Sequence, residues 1–253
     1  MGASLTRQRN IELLNKKNMS GYIENKKIAR IAGLWYLILA IGAGYSWMYI
    51  SKTFVIESSE LTVQNILKTE SQYITSIIFS IVGQIAFILL ALTLYRLFKT
   101  VNQIQARLML TLVLISVSVM FVNIIFQTSS IVLLNGPNYF KGFTDTQISD
   151  LATLFLHFNI IGVYIVDIFW GLWLFPLAFL TYQSNLFPKI IAVVLVISGI
   201  GYIADSLSFI INQDIHNILR NFLSIPEALG EVVMLLWLLI KGVSKPKNEL
   251  ITK

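Results

Sequence analysis

Long apolar runs alternate with short polar segments along the whole chain, and the runs set its architecture. Crossing a hydrocarbon core of ~30 Å takes about 20 predominantly apolar residues in a helix. Residues 31–50, 73–95, 108–134, 150–182, 189–211 and 224–240 provide such runs, the last being the shortest. The pattern predicts an all-α fold, a polytopic membrane bundle of six transmembrane helices. Asn185, Leu186, Phe187 and Pro188 form the hinge between the fourth and fifth spans. Residues 51–72 make an acidic-leaning connection in which Leu61, Ile66 and Leu67 suggest a short extra helix. Asn135-Gly136-Pro137-Asn138 reads as a turn, and Asp214 and Arg220 mark a loop before the sixth span.

Polar positions inside the runs are not scattered. At 100° per residue, Asp150, Thr153, His157, Tyr164, Asp167 and Gly171 fall within an arc of about 100° on the fourth helix. Ser198, Gly201, Asp205, Ser208 and Asn212 fall within about 80° on the fifth, and Ser116, Asn123, Gln127 and Ser130 within about 60° on the third. Each stripe must face protein. On the first helix Gly33, Ala40 and Gly44 share a side, which suits close helix contact in a bilayer.

Composition supports this picture: 56% of the 253 residues are hydrophobic and 13% are charged. The absence of cysteine excludes disulfides, thiolate metal sites and a cysteine nucleophile. The net charge of +6 raises the question of nucleic acid, but the positive residues flank apolar runs and form no continuous surface, so no nucleic-acid partner is expected. They orient the protein instead. Seven in and just after the N-terminal arm (Arg7 to Arg30), Arg96, Lys99 and Arg107, Lys189 and four in the tail make 15 of the 19 on one side, against Lys52, Lys68, Lys141 and Arg220 on the other. The positive-inside rule then places both termini in the cytoplasm of a plasma-membrane protein. The chain divides into a basic arm (1–27), a transmembrane domain (28–240) and a basic tail (241–253). With Ile11, Leu13 and Leu14 among its basic residues, the arm reads either as a helix on the anionic inner leaflet or as a solvated segment that sets topology. A cleaved signal peptide is not expected, because the run that follows is too long for one.

Depths follow from the 1.5 Å rise per residue. Asp205 lies roughly 9 Å below the outer end of its helix, and Glu231, His157 and Gln127 each lie about two turns in, so the four share a layer. Asp167 lies near the midplane with Asn123 and Gln84 slightly above it. An ionised group at that depth costs several kcal/mol unless it is paired, hydrated or neutralised. These positions predict a polar cavity in the outer half of the bundle, with His157, Asp167, Asp205, Glu231, Gln127 and Asn123 as candidate ligand-binding residues. Each also has a plain structural reading: a satisfied interior histidine, a neutral hydrogen-bonded carboxyl, or a helix-to-helix tie. Ser224-Ile225-Pro226-Glu227 has the form of a capping box, so Glu227 is assigned to the helix start. Trp35, Tyr36, Trp47, Tyr49, Tyr73, Tyr95, Tyr182 and Trp237 lie toward span ends, as aromatic belts do. Trp170 and Trp173 read as lipid-facing packing or as cavity wall.

Motifs for phosphate binding, zinc helices and nucleophile elbows are absent, and no cofactor is implied. His157, Asp205 and Glu231 could hold one metal ion, which keeps a metal-dependent intramembrane hydrolase as one alternative. Carboxylates inside a membrane also suit proton-coupled transport, although no inverted repeat is visible.

The order of segments resembles a bacterial membrane-protein family catalogued as domain of unknown function 4386. The resemblance rests on Ala29-Arg30-Ile31-Ala32-Gly33-Leu34-Trp35-Tyr36-Leu37, Ala91-Leu92-Thr93-Leu94-Tyr95-Arg96-Leu97 with Val101-Asn102, and Phe169-Trp170-Gly171-Leu172-Trp173-Leu174. Leu186-Phe187-Pro188-Lys189-Ile190-Ile191 and Gly199-Ile200-Gly201-Tyr202-Ile203-Ala204-Asp205-Ser206 complete it. It implies a compact helical bundle in a bacterial plasma membrane and carries over no catalytic residue or cofactor. The expected partners are the lipid bilayer and a small-molecule or lipid ligand in the cavity. A non-catalytic role beside another membrane protein, such as an immunity subunit, is the other alternative.

Overall fold

The computed structural model describes residues 2–55, 58–136 and 141–245, with side chains from Met19 onward. Among the described residues the chain forms seven helices and no strand. They are α1 (Gly2–Thr53), α2 (Ser59–Lys68), α3 (Glu70–Phe98), α4 (Gln103–Leu134), α5 (Asp145–Ser184), α6 (Lys189–Ile211) and α7 (Gln213–Ile240). All but the short α2 contain a stretch long and apolar enough to cross a membrane, and the chain is a multi-pass membrane protein.

Capping residues set most of the boundaries. The Ser58 side chain accepts from Leu61 N at the start of α2, Asn102 from Gln105 N at α4, and Thr144 and Gln147 form a reciprocal capping box at α5. Asn185 ends α5 in the left-handed region (φ 55°), and Pro188 precedes the first turn of α6, so the hinge lies where expected. The backbone of α1 is helical from Gly2, and the arm continues into the first span without a break. Ile11, Leu13 and Leu14 lie outside the described side chains.

The expected start of the last span is corrected. Asn212 alone separates α6 from α7, and its side chain caps α7 by accepting from Asp214 N and Ile215 N. Asp214 and Arg220 are therefore helical, α7 has 28 residues, and α6, with 23, is the shortest span. Ser224 forms no capping box, because Pro226 lies inside the helix. The Ser198 hydroxyl of α6 enters the ladder at that step. It donates to Pro226 O at 2.5 Å and accepts from Gly230 N at 2.9 Å, the two groups that a regular turn would join.

The six spans form a ring in which α1 packs on α3, α3 on α4, α4 on α5, α5 on α6, α6 on α7 and α7 back on α1. Close approaches use glycine. A Cβ at Gly171 would lie 2.6 Å from Gly199 O, and one at Gly199 would lie 2.9 Å from Gly171 O, so α5 and α6 touch backbone to backbone. Gly33 meets Leu238 and Leu239 of α7 as its small size suggested, whereas a Cβ at Gly44 would meet nothing within 4 Å. Toward the termini the ring is filled by Phe87, Leu90, Leu94, Phe98, Trp173, Leu177 and Leu238. Toward the opposite end a smaller cluster contains Ile66, Tyr73, Ile77, Ile131 and Leu156.

Candidate functional site

The ring encloses a cavity of about 440 Å³ lined by all six spans. Following each helix, Tyr36, Phe87, Trp170 and Leu235 form the deep end of its lining, while Trp47, Ile50, Gln127 and Arg220 lie nearer the end opposite the termini. The contact between α1 and α7 is made at Gly33 with Leu238 and at Tyr36 with Glu231. Beyond it, Ala40 and Gly44 of α1 and Ala228 and Val232 of α7 line the cavity and are exposed. With nothing within 4 Å of a Cβ at Gly44, the cavity wall is open between α1 and α7 at this level of the bundle.

Glu231 anchors the deep end. Its two carboxylate oxygens accept from Tyr36 OH at 2.9 Å and Tyr202 OH at 2.6 Å, joining α1, α6 and α7. Asp167 on α5 is 7% exposed and lines the cavity, yet its carboxyl has no hydrogen-bond partner among the described residues. Glu227 Oε1 and Gln84 Oε1 are likewise buried without a partner, and both residues line the cavity.

A second network sits toward the opposite end. His216 Nδ1 lies 3.3 Å from Asp205 Oδ1 and 3.1 Å from Ser208 Oγ, while Nε2 lies 3.1 Å from Tyr164 OH. Ser208 donates its proton to Asp205 O at 2.7 Å, so it accepts at Nδ1. Nε2 then accepts from the Tyr164 phenol, which in turn accepts from Arg220 Nη1. Nδ1 bonds Ser208 Oγ while Asp205 Oδ1 lies beside it without a hydrogen bond of its own, an arrangement that ties α6 to α7 and differs from a nucleophile–base–orienter relay. The Arg220 guanidinium lies 5.3 Å from the Trp47 ring centroid and 5.5 Å from that of Tyr164.

Of the six residues singled out from sequence, Asp167, Asp205, Glu231 and Gln127 line the cavity. His157 does not: it is half-buried, its ring 5.9 Å from that of Phe54. Asn123 is held in a reciprocal clasp, donating to Asn159 O at 2.9 Å while Asn159 donates to Asn123 O at 3.1 Å, and it is not part of the cavity lining. Nor do four groups share one layer. Because α7 starts at Gln213, Glu231 lies about 27 Å along it rather than two turns in. His157, Asp205 and Glu231 consequently do not meet around one point, and among the described residues no three His, Asp or Glu side chains are grouped as metal ligands would be.

His216, Arg220, Tyr36 and Tyr202 belong to the networks and Glu227 to the cavity lining, although their roles were assigned elsewhere or not at all. Tyr36 and Trp47 face inward rather than forming a belt, Trp170 is cavity wall, and Trp173 is buried against Phe87 and Tyr36. One periodic signal was available. If the helix is continuous from 213, His216, Arg220, Glu227 and Glu231 fall within about 60° on one face.

No curated protein and no solved structure matches the chain. The family described as Domain of unknown function (DUF4386) matches residues 31–242, a range that takes in every cavity residue named above, and the chain belongs to that family.

Proposed function

We propose that this is a plasma-membrane protein with both termini in the cytoplasm, whose cavity faces outward and binds or passes a small molecule, a lipid headgroup or an ion. The observation that carries this reading is Asp167: a carboxyl at membrane depth, 7% exposed, lining a cavity of about 440 Å³ with no hydrogen-bond partner among the described residues. Leaving such a group unpaired is costly, so a site that retains one supplies the partner from outside the protein. Asp205, Glu231 and Gln127 share the cavity, and the contact of Asp205 with His216 and the hydrogen bonds of Glu231 and Gln127 fix its walls.

The chain has no cysteine, so a single one at Ala43, which lines the cavity, tests access. A small charged methanethiosulfonate reagent added to intact cells should modify it, and Gly44→Phe should slow the reaction at least about tenfold by filling the space beside it. Modification only after the membrane is opened, or a rate indifferent to Gly44→Phe, counts against an outward cavity.

A further inference from the structure

We infer that the cavity takes an organic cation, a ligand carrying a protonated or quaternary ammonium; this rests on the cavity reading above and names its ligand class. The charge balance of the lining is the starting point. Asp167, Asp205, Glu227 and Glu231 face the cavity, and Arg220 is the one fixed cation in its lining. Among the described residues the only ion pair within 4.0 Å is His216 with Asp205. Arg220 spends its guanidinium on the Tyr164 hydroxyl and the Trp47 and Tyr164 rings. Asp167, Glu227 and Glu231 therefore have no cationic partner within that distance.

Two further observations point to a ligand. Asp167, more than nine-tenths buried, lines the cavity without a hydrogen-bond partner among the described residues, and Gln84, 1% exposed, lines the same cavity and keeps a buried Oε1 without a partner. The walls around them are aromatic: Tyr36, Phe87, Trp170 and Tyr202. Carboxylates beside aromatic faces form the environment that attracts ammonium groups, through charge and through the ring quadrupole. Arg220, lying over Trp47 and Tyr164, shows the upper wall already holding a cation in this way. The lack of any three-ligand cluster among the described residues favours a soft organic cation over a metal ion. The ammonium could arrive free from water or as a lipid headgroup through the opening between α1 and α7.

The test uses the full chain in nanodiscs of phosphatidylglycerol, a lipid without an ammonium group, and reads tryptophan fluorescence, because Trp47 and Trp170 line the cavity. Choline and its uncharged carbon isostere, 3,3-dimethyl-1-butanol, are titrated separately. The expected result is a saturable response to choline with a Kd at least about tenfold below that of the isostere. Asp167→Asn combined with Glu227→Gln should bring choline to the level of the isostere, and Gly44→Phe should remove both responses. In phosphatidylcholine nanodiscs, a choline curve displaced to higher concentration identifies the headgroup as occupant, and an unmoved curve identifies a water-borne amine; either keeps the assignment. Equal affinities for choline and isostere in the parent overturn it, as does no saturable response to choline, or choline binding unchanged in the double amide variant. If the isostere binds as well as choline and Gly44→Phe blocks both, the cation class fails while the cavity reading stands. Silence toward both probes removes the cation class and leaves the cavity to the reagent-access test.

Discussion

Tyr202 on α6 donates its phenolic proton to Glu231 on α7 at 2.6 Å, deep in the bundle, where the carboxylate also accepts from Tyr36 of α1 at 2.9 Å. Hydrogen bonds to a carboxylate inside a helical bundle are among the stronger ones a protein makes. Removing one donor leaves part of the carboxylate unsatisfied. Tyr202→Phe and Tyr36→Phe are each expected to lower stability by about 1.5–3 kcal/mol. A thermal-unfolding cycle of Tyr202→Phe with Glu231→Gln should show a coupling of about 0.5–3 kcal/mol. Additive effects would mean the pair is not formed.

The Ser198 hydroxyl serves two backbone groups of α7 at once, Pro226 O and Gly230 N. Ser198→Ala is expected to cost about 1–3 kcal/mol, because both groups lose a partner inside an apolar bundle. Ser224→Ala, at an exposed position in the middle of α7, should change stability by no more than about 0.5 kcal/mol. Were Ser224 a true N-cap, its loss would cost about 1 kcal/mol. Parallel melts of the two variants separate these cases.

That contrast also shows what could be read from the chain and what could not. The number of spans, the Asn185–Pro188 hinge, the bounds of α6 and the polar faces of α4, α5 and α6 follow from hydropathy and helical period, and those signals are strong in lipid. The start of α7 did not follow. Ser224-Ile225-Pro226-Glu227 carries every local mark of a helix start, while the real start at Asn212 lies in a polar stretch with weak hydropathy. The helix runs on through Pro226, and the turn after it is held from another helix, where Ser198 bonds both Pro226 O and Gly230 N. The misplaced start hid the shared face of His216, Arg220, Glu227 and Glu231, and so half of the site. His157 misled for the opposite reason, since it shares its helical arc with Asp167 yet lies against Phe54.

The glycines should divide sharply. Ala at Gly171 places a Cβ 2.6 Å from Gly199 O, and Ala at Gly199 places one 2.9 Å from Gly171 O, so each forces α5 and α6 apart. Losses of about 1–3 kcal/mol or failure to assemble are expected. Gly44→Ala meets nothing within 4 Å and should be neutral, or stabilising by up to about 1 kcal/mol through helix propensity. Recovery of folded protein after detergent extraction, with melting of what is recovered, checks both.

Topology is open to a direct test because the chain is free of cysteine. Lys141→Cys and Lys99→Cys sit in exposed connections at opposite ends of the bundle. The positive-inside count predicts that an impermeant thiol reagent labels Lys141→Cys on intact cells and Lys99→Cys only after the membrane is broken. The reverse pattern would turn the cavity toward the cytoplasm.

The most direct test of a ligand-holding cavity is native mass spectrometry of the chain released from nanodiscs made with its own membrane lipids. Parent protein should carry a discrete mass excess that Gly44→Phe loses and Asp167→Asn reduces, with the three proteins equally well folded. A parent that emerges at the bare chain mass, or an excess retained in full by both variants, would contradict the account and leave the buried carboxyls as structural groups alone.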